Sequence, residues 1–151
     1  MNNWTLFIDG ASRNNPGPSG AGIFILKNSV LALKCGYYLG KKTNNQAEYL
    51  ALLLGLFTLK EHIENSDVVH IVSDSQLLVR QVLGVYKVRD AQLQKLHAIC
   101  KETMNELTVT VSHVLREENV EADAMANYGI DNKILPPKNY IARLKQYDIV
   151  L

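Results

Sequence analysis

The chain has 151 residues, of which 47% are hydrophobic and 21% are charged, and its formal net charge at pH 7 is +1. This length and composition suit one well-packed domain and exclude a disordered polypeptide. Because the net charge is close to zero, any basic surface for a nucleic-acid partner has to be local.

Neither the cysteines nor the N-terminus indicates secretion. Cys35 and Cys100 are too few for a disulfide framework or a four-ligand zinc site, and they are expected to be thiols in a reducing compartment. The first residues, Met-Asn-Asn-Trp, lack the basic and apolar regions of a signal peptide, and the apolar stretch 50–59 is too short to span a bilayer. We therefore expect a cytoplasmic protein without a membrane partner.

Three strands are predicted in the first forty residues, at 4–8, 22–26 and 30–39. The link between the second and third strands has hairpin length, so these two are expected to pair antiparallel. The segment 12–20 is dense in turn-forming residues and is predicted to be a loop.

The pattern then changes to a helical period. Residues 44–62, capped by Thr43 or Asn44, are apolar on most sides and predict a central, buried helix. The later elements are a strand buried on both faces at 68–72, helices at 75–83 and 90–106, a strand at 108–112, a helix at 119–128 that stops near Gly129, and a short helix or packed tail at 140–151. This order predicts an α/β fold with a five-stranded mixed sheet flanked by helices.

Four acidic residues are placed where these elements meet. Asp9 and Asp74 close the first and fourth strands, and Glu48 and Asp123 lie one turn into the first and last helices. Because ligands bind at the carboxyl ends of strands in open α/β sheets, we expect the four to converge. Converging carboxylates repel one another, and divalent cations remove that conflict. Each residue alone also fits a turn, cap or helix-dipole role, so the prediction depends on their joint placement.

Four sequence blocks around these carboxylates resemble, in the same order, the motifs of type 1 ribonuclease H. They are DGASRNNPGPSGAG from Asp9, TNNQAEY around Glu48, SDSQ around Asp74 and REENVEADAMAN around Asp123. The resemblance covers about residues 4–129. It implies a ribonuclease H-like fold, with a catalytic domain at 1–130 and a C-terminal extension at 131–151 packed on or trailing the same domain.

The resemblance also implies an activity. Type 1 ribonucleases H are metal-dependent endonucleases that hydrolyse the RNA strand of RNA/DNA hybrids and leave 5′-phosphate ends. Carried over, the catalytic and metal-binding residues are Asp9, Glu48, Asp74 and Asp123, with two Mg²⁺ or Mn²⁺ ions per site. The expected partner is an RNA/DNA hybrid, and the chain is expected to be a monomer.

Five amide side chains match family positions that contact nucleotides: Asn15, Asn44, Asn45, Gln46 and Gln76. Amides in the minor groove can distinguish ribose 2′-hydroxyls from deoxyribose. For the asparagine pair the alternative role is capping of the helix, and both roles are compatible.

A histidine completes the implied site. His113 precedes Asp123 by ten residues, the spacing at which the family often carries a histidine that helps to deprotonate water or release product. A neutral imidazole can do either near pH 7. The alternative is that His113 simply ends the fifth strand.

One feature departs from the family pattern. Many bacterial members carry a long protrusion rich in Lys and Trp after the third block, whereas here only residues 84–90 separate the two helices, and the nearby cations are Lys87, Arg89 and Lys95. This predicts modest affinity that falls as salt rises. Two alternatives stay open, a nuclease of the same fold that acts on another nucleic acid and a catalytically silent nucleic-acid-binding module.

Overall fold

The structure is a computed structural model that describes all of residues 1–151. Its elements are β1 (Asn3–Ser12), β2 (Gly17–Lys27), β3 (Val30–Lys42), α1 (Asn44–Lys60), β4 (Val68–Ser73), α2 (Gln76–Val82), α3 (Ala91–Asn105), β5 (Thr108–His113), a 3₁₀ turn (Arg116–Glu118), α4 (Val120–Asp131) and α5 (Lys138–Lys145). One sheet has the strand order β3-β2-β1-β4-β5, antiparallel from β3 to β1 and parallel from β1 to β5. The predicted five-stranded mixed sheet with flanking helices is confirmed.

Helix α1 lies at the centre of the molecule, as its apolar circumference predicts. Twelve of its 17 residues are buried. It packs across β1, where Leu6 and Ile8 are fully buried, and Gly55 lets the helix come close enough to touch Leu6. Helices α2 and α3 pack against its other side. None of the helices combines the length and apolar character that a membrane span requires.

Two glycines bring helices close to opposite faces of β1 and β2. A Cβ on Gly10 would lie 2.2 Å from the carbonyl carbon of Ala47 in α1, and a Cβ on Gly22 would lie 2.2 Å from the carbonyl oxygen of Ala122 in α4. Gly22 pairs with Asp9, next to Gly10, and successive strand residues point to opposite faces. Helices α1 and α4 therefore enclose the same part of β1 from both sides.

The predicted loop at 12–20 is mostly strand. β1 continues to Ser12, which pairs with Ser19, so only residues 13–16 form the turn. The strands extend this far because the hydroxyls of Ser12 and Ser19 both donate to the carbonyl of Lys42 at the end of β3. The polar residues that suggested a loop hold three strand ends together.

Two further predictions are wrong in detail. Helix α4 was predicted to stop near Gly129 but continues to Asp131. The glycine serves close packing rather than termination of the helix, because a Cβ there would lie 2.5 Å from the backbone nitrogen of Tyr37. Strand β4 is buried on both faces only in part: on the face of His70, Val72 is buried, but Val68 and His70 remain partly exposed, because α4 packs on β1, β2 and β3.

The C-terminal segment packs on α1. Helix α5 begins after Pro137, two residues earlier than predicted, and ends at Lys145. Tyr140 is buried and its hydroxyl donates to the carbonyl of Leu50 at 2.8 Å, while Leu144 is fully buried. Residues 131–151 thus contribute side chains to the main hydrophobic core.

Candidate active site

Three carboxylates meet at one edge of the sheet. Asp9, Glu48 and Asp74 each offer an oxygen, and these oxygens lie within 4.8 Å of one another. Asp9 was predicted to close β1, but it lies three residues before the end of that strand. It still lies at an edge, because parallel pairing with β4 stops where Ile8 meets Ser73, and only the antiparallel pairing with β2 continues.

Glu48 is held in place by the start of α1. Thr43 caps this helix, since its hydroxyl accepts from the backbone N–H of Gln46 at 3.1 Å and its own N–H donates to the Gln46 side chain at 2.9 Å. One turn on, the Glu48 carboxylate accepts from the backbone N–H of Gly10 at 3.1 Å. This bond depends on the close approach that Gly10 permits, a role that sequence reasoning missed.

Asp74 lies in the turn between β4 and α2. Ser75 caps α2 by accepting from the N–H of Leu78 at 3.2 Å, and its own N–H donates to the Ser73 hydroxyl at 3.0 Å. These bonds fix the turn and leave the half-buried Asp74 side chain to face the other two carboxylates.

The three carboxylates oppose one another's ionisation. Burial raises the pKa of Asp9 most, and the charges of Glu48 and Asp74 raise it further. Burial likewise raises the pKa of Glu48, with Asp74 adding to the effect, and burial is the main cause of the raised pKa of Asp74. Clustered, poorly solvated carboxylates of this kind suit a hard divalent cation, which supplies the missing positive charge.

Four groups act in the opposite direction. The pKa of Glu48 is lowered by the N–H of Gly10 and then by the Arg116 charge. The pKa of Asp74 is lowered by the Asn119 side chain, and also by the charges of Arg116 and His113. Sequence reasoning gave no role to Arg116 or Asn119, although both stand in the fourth motif block, where only Asp123 was singled out. Their contacts with distant residues could not be read from the sequence.

Asp123 lies beside the three carboxylates but is not part of the tightest set. It is exposed in the first turn of α4, and its carboxyl group is near enough to Asp9 to raise the pKa of that residue. The side chain of Asn127 donates to its carbonyl at 3.0 Å and to its carboxylate at 3.4 Å. The structure thus places all four predicted carboxylates in one region.

His113 is the last residue of β5 and pairs with Ser73, next to Asp74. It is exposed, and its charge influences the Asp74 carboxyl. Both interpretations of this residue are therefore compatible with its position: it ends the strand, and it lies beside the carboxylates.

The predicted substrate-contacting amides lie around the starts of α1 and α2. The Asn15 side chain accepts from the N–H of Asn44 at 2.9 Å, and the Asn44 side chain accepts from the N–H of Ser12 at 2.9 Å. The Gln46 amide serves the capping box and bonds Gln92 of α3. Asn45 is exposed at the second position of α1, and Gln76 is exposed at the first position of α2. Four of these amides thus surround the start of α1.

The segment between α2 and α3 offers few cations. Lys87 and Arg89 are exposed, and the ammonium group of Lys95 donates to the carbonyl of Asp148 at 2.8 Å. Val85 and Tyr86 are exposed apolar residues of the same segment, with exposed fractions of 65% and 43%. This segment therefore offers few positively charged side chains for contacts with nucleic-acid phosphates.

Comparison with known proteins supports this geometry. Residues 7–129 match the family model described as Reverse transcriptase-like. Ribonuclease HI of Halobacterium salinarum is 33% identical over 128 residues, which cover 83% of this chain and 63% of that protein. The bifunctional protein Rv2228c of Mycobacterium tuberculosis is 32% identical over 126 residues, which cover 82% of this chain and 34% of that protein. The chain therefore spans less than two thirds of these two relatives, but a Ribonuclease H of Coxiella burnetii, 33% identical over 141 residues, is matched over 88% of its length and 83% of this chain.

Solved structures give the same result. RNase H1 of Halobacterium salinarum superposes with a TM-score of 0.82 at 31% identity, covering 86% of this chain and 98% of that one. LC11-RNase H1, isolated from compost and crystallised in complex with an RNA/DNA hybrid, superposes with a TM-score of 0.79 at 33% identity, covering 85% of this chain and 97% of that one. On its sequence, its fold and its clustered carboxylates, the chain belongs to the ribonuclease H family.

Proposed function

We propose that this chain is an endonuclease that hydrolyses the RNA strand of RNA/DNA hybrids with the help of divalent metal ions. The observation that carries the proposal is the meeting of Asp9, Glu48 and Asp74 within 4.8 Å at one edge of the sheet, in a member of the ribonuclease H family. A relative of the same fold was crystallised with such a hybrid.

The metal-binding residues in this proposal are the four carboxylates. Asp9, Glu48 and Asp74 supply a close set of oxygen donors, and Asp123 supplies a fourth from the exposed side. Oxygen donors of this kind suit Mg²⁺ or Mn²⁺, and two ions per site match the family pattern. Bound there, such ions supply an activated water and neutralise charge on the scissile phosphate.

Other residues of the chain handle protons and substrate. His113 lies exposed beside Asp74, where its imidazole can accept or return a proton at the reacting oxygens. Arg116, also exposed, can pair with a backbone phosphate near the carboxylates. The amides of Asn15, Asn44, Asn45, Gln46 and Gln76 provide hydrogen-bonding groups for ribose 2′-hydroxyls.

The proposal also includes a working context. We infer a monomeric, cytoplasmic enzyme, consistent with two free thiols at Cys35 and Cys100. Residues 1–130 would form the catalytic unit, and the extension 131–151 would stabilise it through α5, whose Tyr140 bonds to Leu50 in α1.

A labelled-substrate assay tests this function. An RNA/DNA hybrid, an RNA duplex and a DNA duplex are incubated with the chain in Mg²⁺, in Mn²⁺ and in chelator, with Asp74→Asn as the inactive control. We expect cleavage of the hybrid alone, only with metal, with 5′-phosphates on the RNA fragments. Binding of the hybrid without cleavage in either metal would instead indicate a silent binding module. Equal cleavage of the other duplexes would indicate a different nuclease.

A further inference from the structure

Asn119 is a fully buried polar side chain beside the carboxylates, at the residue that precedes α4. An asparagine at this position commonly caps its helix by accepting from a backbone N–H in the first turn. Here the side chain makes no such bond. Its carboxamide is therefore used for contacts outside its own helix.

Those contacts join three elements of the site. The Nδ2 atom donates to the carbonyl of Ile8, the residue before Asp9, at 2.8 Å. The same carboxamide lies near enough to Asp74 to lower the pKa of its carboxyl group. The backbone carbonyl of Asn119 accepts from the N–H of Asp123 at 3.2 Å. One residue thus bonds the strand that carries Asp9 and the helix that carries Asp123, close to the turn that carries Asp74.

The oxygen of the Asn119 carboxamide shows that packing alone does not explain why an asparagine lies at this position. The Oδ1 atom is buried and has no hydrogen-bond partner. An unpaired buried acceptor destabilises a protein, and such groups are uncommon. Rotating the amide does not help, because Oδ1 would then face the carbonyl oxygen of Ile8. The buried Asn119 side chain therefore carries a cost in stability, and its place beside the carboxylates points to a role in the site.

We propose that Asn119 is a positioning residue of the candidate active site, which holds the Asp9 region of β1 in a fixed relation to the first turn of α4. It thereby sets the spacing at which the carboxylates bind a divalent ion. This inference rests on the proposed function, in which those carboxylates are the metal ligands.

Two variants test the proposal, Asn119→Ala and Asn119→Leu, the second of which fills the space but cannot donate a hydrogen bond. The matched control is Asn132→Ala, because Asn132 is an exposed asparagine at the far end of α4 whose side chain bonds the Tyr128 carbonyl at 3.0 Å. Calorimetry measures Ca²⁺ and Mg²⁺ affinity of the full chain well below its Tm, and hybrid cleavage gives kcat and KM.

We expect both Asn119 variants to lose about 10–100-fold in metal affinity, the usual effect of removing a partner that orients a metal ligand. At limiting Mg²⁺, kcat should fall by a similar factor while KM for the hybrid stays near that of the wild type. The control Asn132→Ala should match the wild type in metal affinity, kcat and KM. A lowered Tm with unchanged metal affinity and kcat would assign Asn119 a purely structural role and overturn the proposal.

A measurement on the wild-type chain decides the question if neither variant folds. The side-chain amide resonances of Asn119 should shift as Mg²⁺ is added and those of Asn132 should not, because only the Asn119 side chain bonds the residue next to a proposed ligand. Unchanged Asn119 resonances at saturating Mg²⁺ would overturn the proposal.

The failure of this inference is distinguishable from failure of the proposed function. Asp74→Asn is measured in parallel by the same calorimetry. If Asp74→Asn weakens metal binding but the Asn119 variants do not, the positioning role is wrong and the metal assignment stands. If Asp74→Asn also binds metal like the wild type, the assignment of the ligands is itself wrong.

Discussion

Asp67 and Asp9 are both buried carboxylates of the same sheet, with exposed fractions of 3% and 5%, but they lie at opposite ends of its parallel strands. Asp67 precedes β4 and accepts from the N–H of Asn2 at 2.8 Å, the indole N–H of Trp4 at 2.9 Å and the N–H of Glu64 at 3.0 Å. These donors hold the pKa of Asp67 well below its usual range. Asp9 faces carboxylates instead, and its pKa is raised, chiefly by burial.

The difference shows that hydrogen-bond donors can outweigh the effect of burial on a carboxyl group: they do so at Asp67, whereas at Asp9 burial and the neighbouring carboxylates raise the pKa. At the Asp67 end the donors come from the N-terminal segment and the turn before β4, so the ionised carboxylate joins these segments. At the Asp9 end the donors are few, and Gly10 provides one to Glu48. One end of the sheet therefore stabilises the fold, and the other holds carboxyl groups whose ionisation is opposed until a cation supplies positive charge.

The largest expected effect is on the activity of Asp9→Asn. Removing this ligand should lower kcat for hybrid cleavage by more than about 10²–10³-fold, at least the effect of losing one charge-stabilising group in other active sites. The metal-free protein should be as stable as the wild type or more so, because one repelling charge is gone. Assays with Mg²⁺ and melting in chelator measure the two effects.

The control for this variant is Asp131→Asn, which removes an exposed carboxylate paired with Arg13 at 2.7 Å. Exposed ion pairs contribute little to stability, so the control should resemble the wild type in both assays. A near-normal kcat for Asp9→Asn would contradict the ligand assignment, and a sharply lower Tm would contradict the repulsion.

His113→Ala should lower kcat by roughly 10²–10⁴-fold, the range for loss of a general acid–base group. Calorimetric affinity for Mg²⁺ should not change, because His113 lies beside the carboxylates without belonging to their set. His70→Ala, a partly exposed histidine of the neighbouring strand, is the matched control. If the rate of His113→Ala is unchanged across pH, this residue merely ends β5.

Asp67→Asn should show the opposite behaviour to Asp9→Asn. Its Tm at pH 7 should fall by several degrees, because an amide cannot accept from all of the donors around Asp67, while kcat well below the Tm should stay near that of the wild type. The folded pKa lies below the unfolded one, so the stabilisation is complete above about pH 4 and is lost as the pH falls through the folded value. The stability difference between variant and wild type should therefore shrink in acid. An unchanged Tm at pH 7 would show that these hydrogen bonds are unimportant.

The smallest effect concerns the thin basic segment between α2 and α3. The slope of log affinity against log salt for hybrid binding in Ca²⁺ should correspond to about three or four phosphate contacts. Lys87→Ala combined with Arg89→Ala should flatten it and raise KM with little change in kcat, because such contacts hold the ground state and transition state equally. A matched pair of changes in α5, Lys138→Ala with Lys145→Ala, should leave the slope unchanged. A steep slope that persists in the variant with Lys87→Ala and Arg89→Ala would show that the main phosphate contacts lie elsewhere on the protein.

The sequence predicted the parts of the site that depend on local pattern. Asp74 ends a short apolar strand and Glu48 follows a helix cap, so their placement at one edge could be inferred from the order of elements. The role of Asp67 could not, because two of its donors, Asn2 and Trp4, are more than sixty residues away in the chain. Nothing in the local pattern around Asp67 indicates a cluster of donors.

Packing between distant backbones was equally hidden. Gly129 was predicted to end a helix but is a contact point between α4 and β3, and Gly10, which was given no role, allows α1 to approach the site. The sequence places Asn119 in a motif block but does not indicate its hydrogen bond to the carbonyl of Ile8. In each case the deciding contact joins segments far apart in the chain, which local propensity does not encode.

The central claim is that the Asp9 end of the sheet is held together against charge repulsion that a divalent cation relieves. Its most direct test is the free energy of unfolding against pH, without metal and at saturating Mg²⁺, for the wild type and Asp9→Asn. Because the pKa values of Asp9 and Glu48 are raised by folding, the folded state binds more protons above about pH 4, and stability falls as pH rises. Between about pH 5 and 8 we predict a falling curve for the metal-free wild type, a flatter one for Asp9→Asn, and removal of the wild-type slope by Mg²⁺. Parallel curves for the two proteins, or no stabilisation by Mg²⁺ at the alkaline end, would contradict the account.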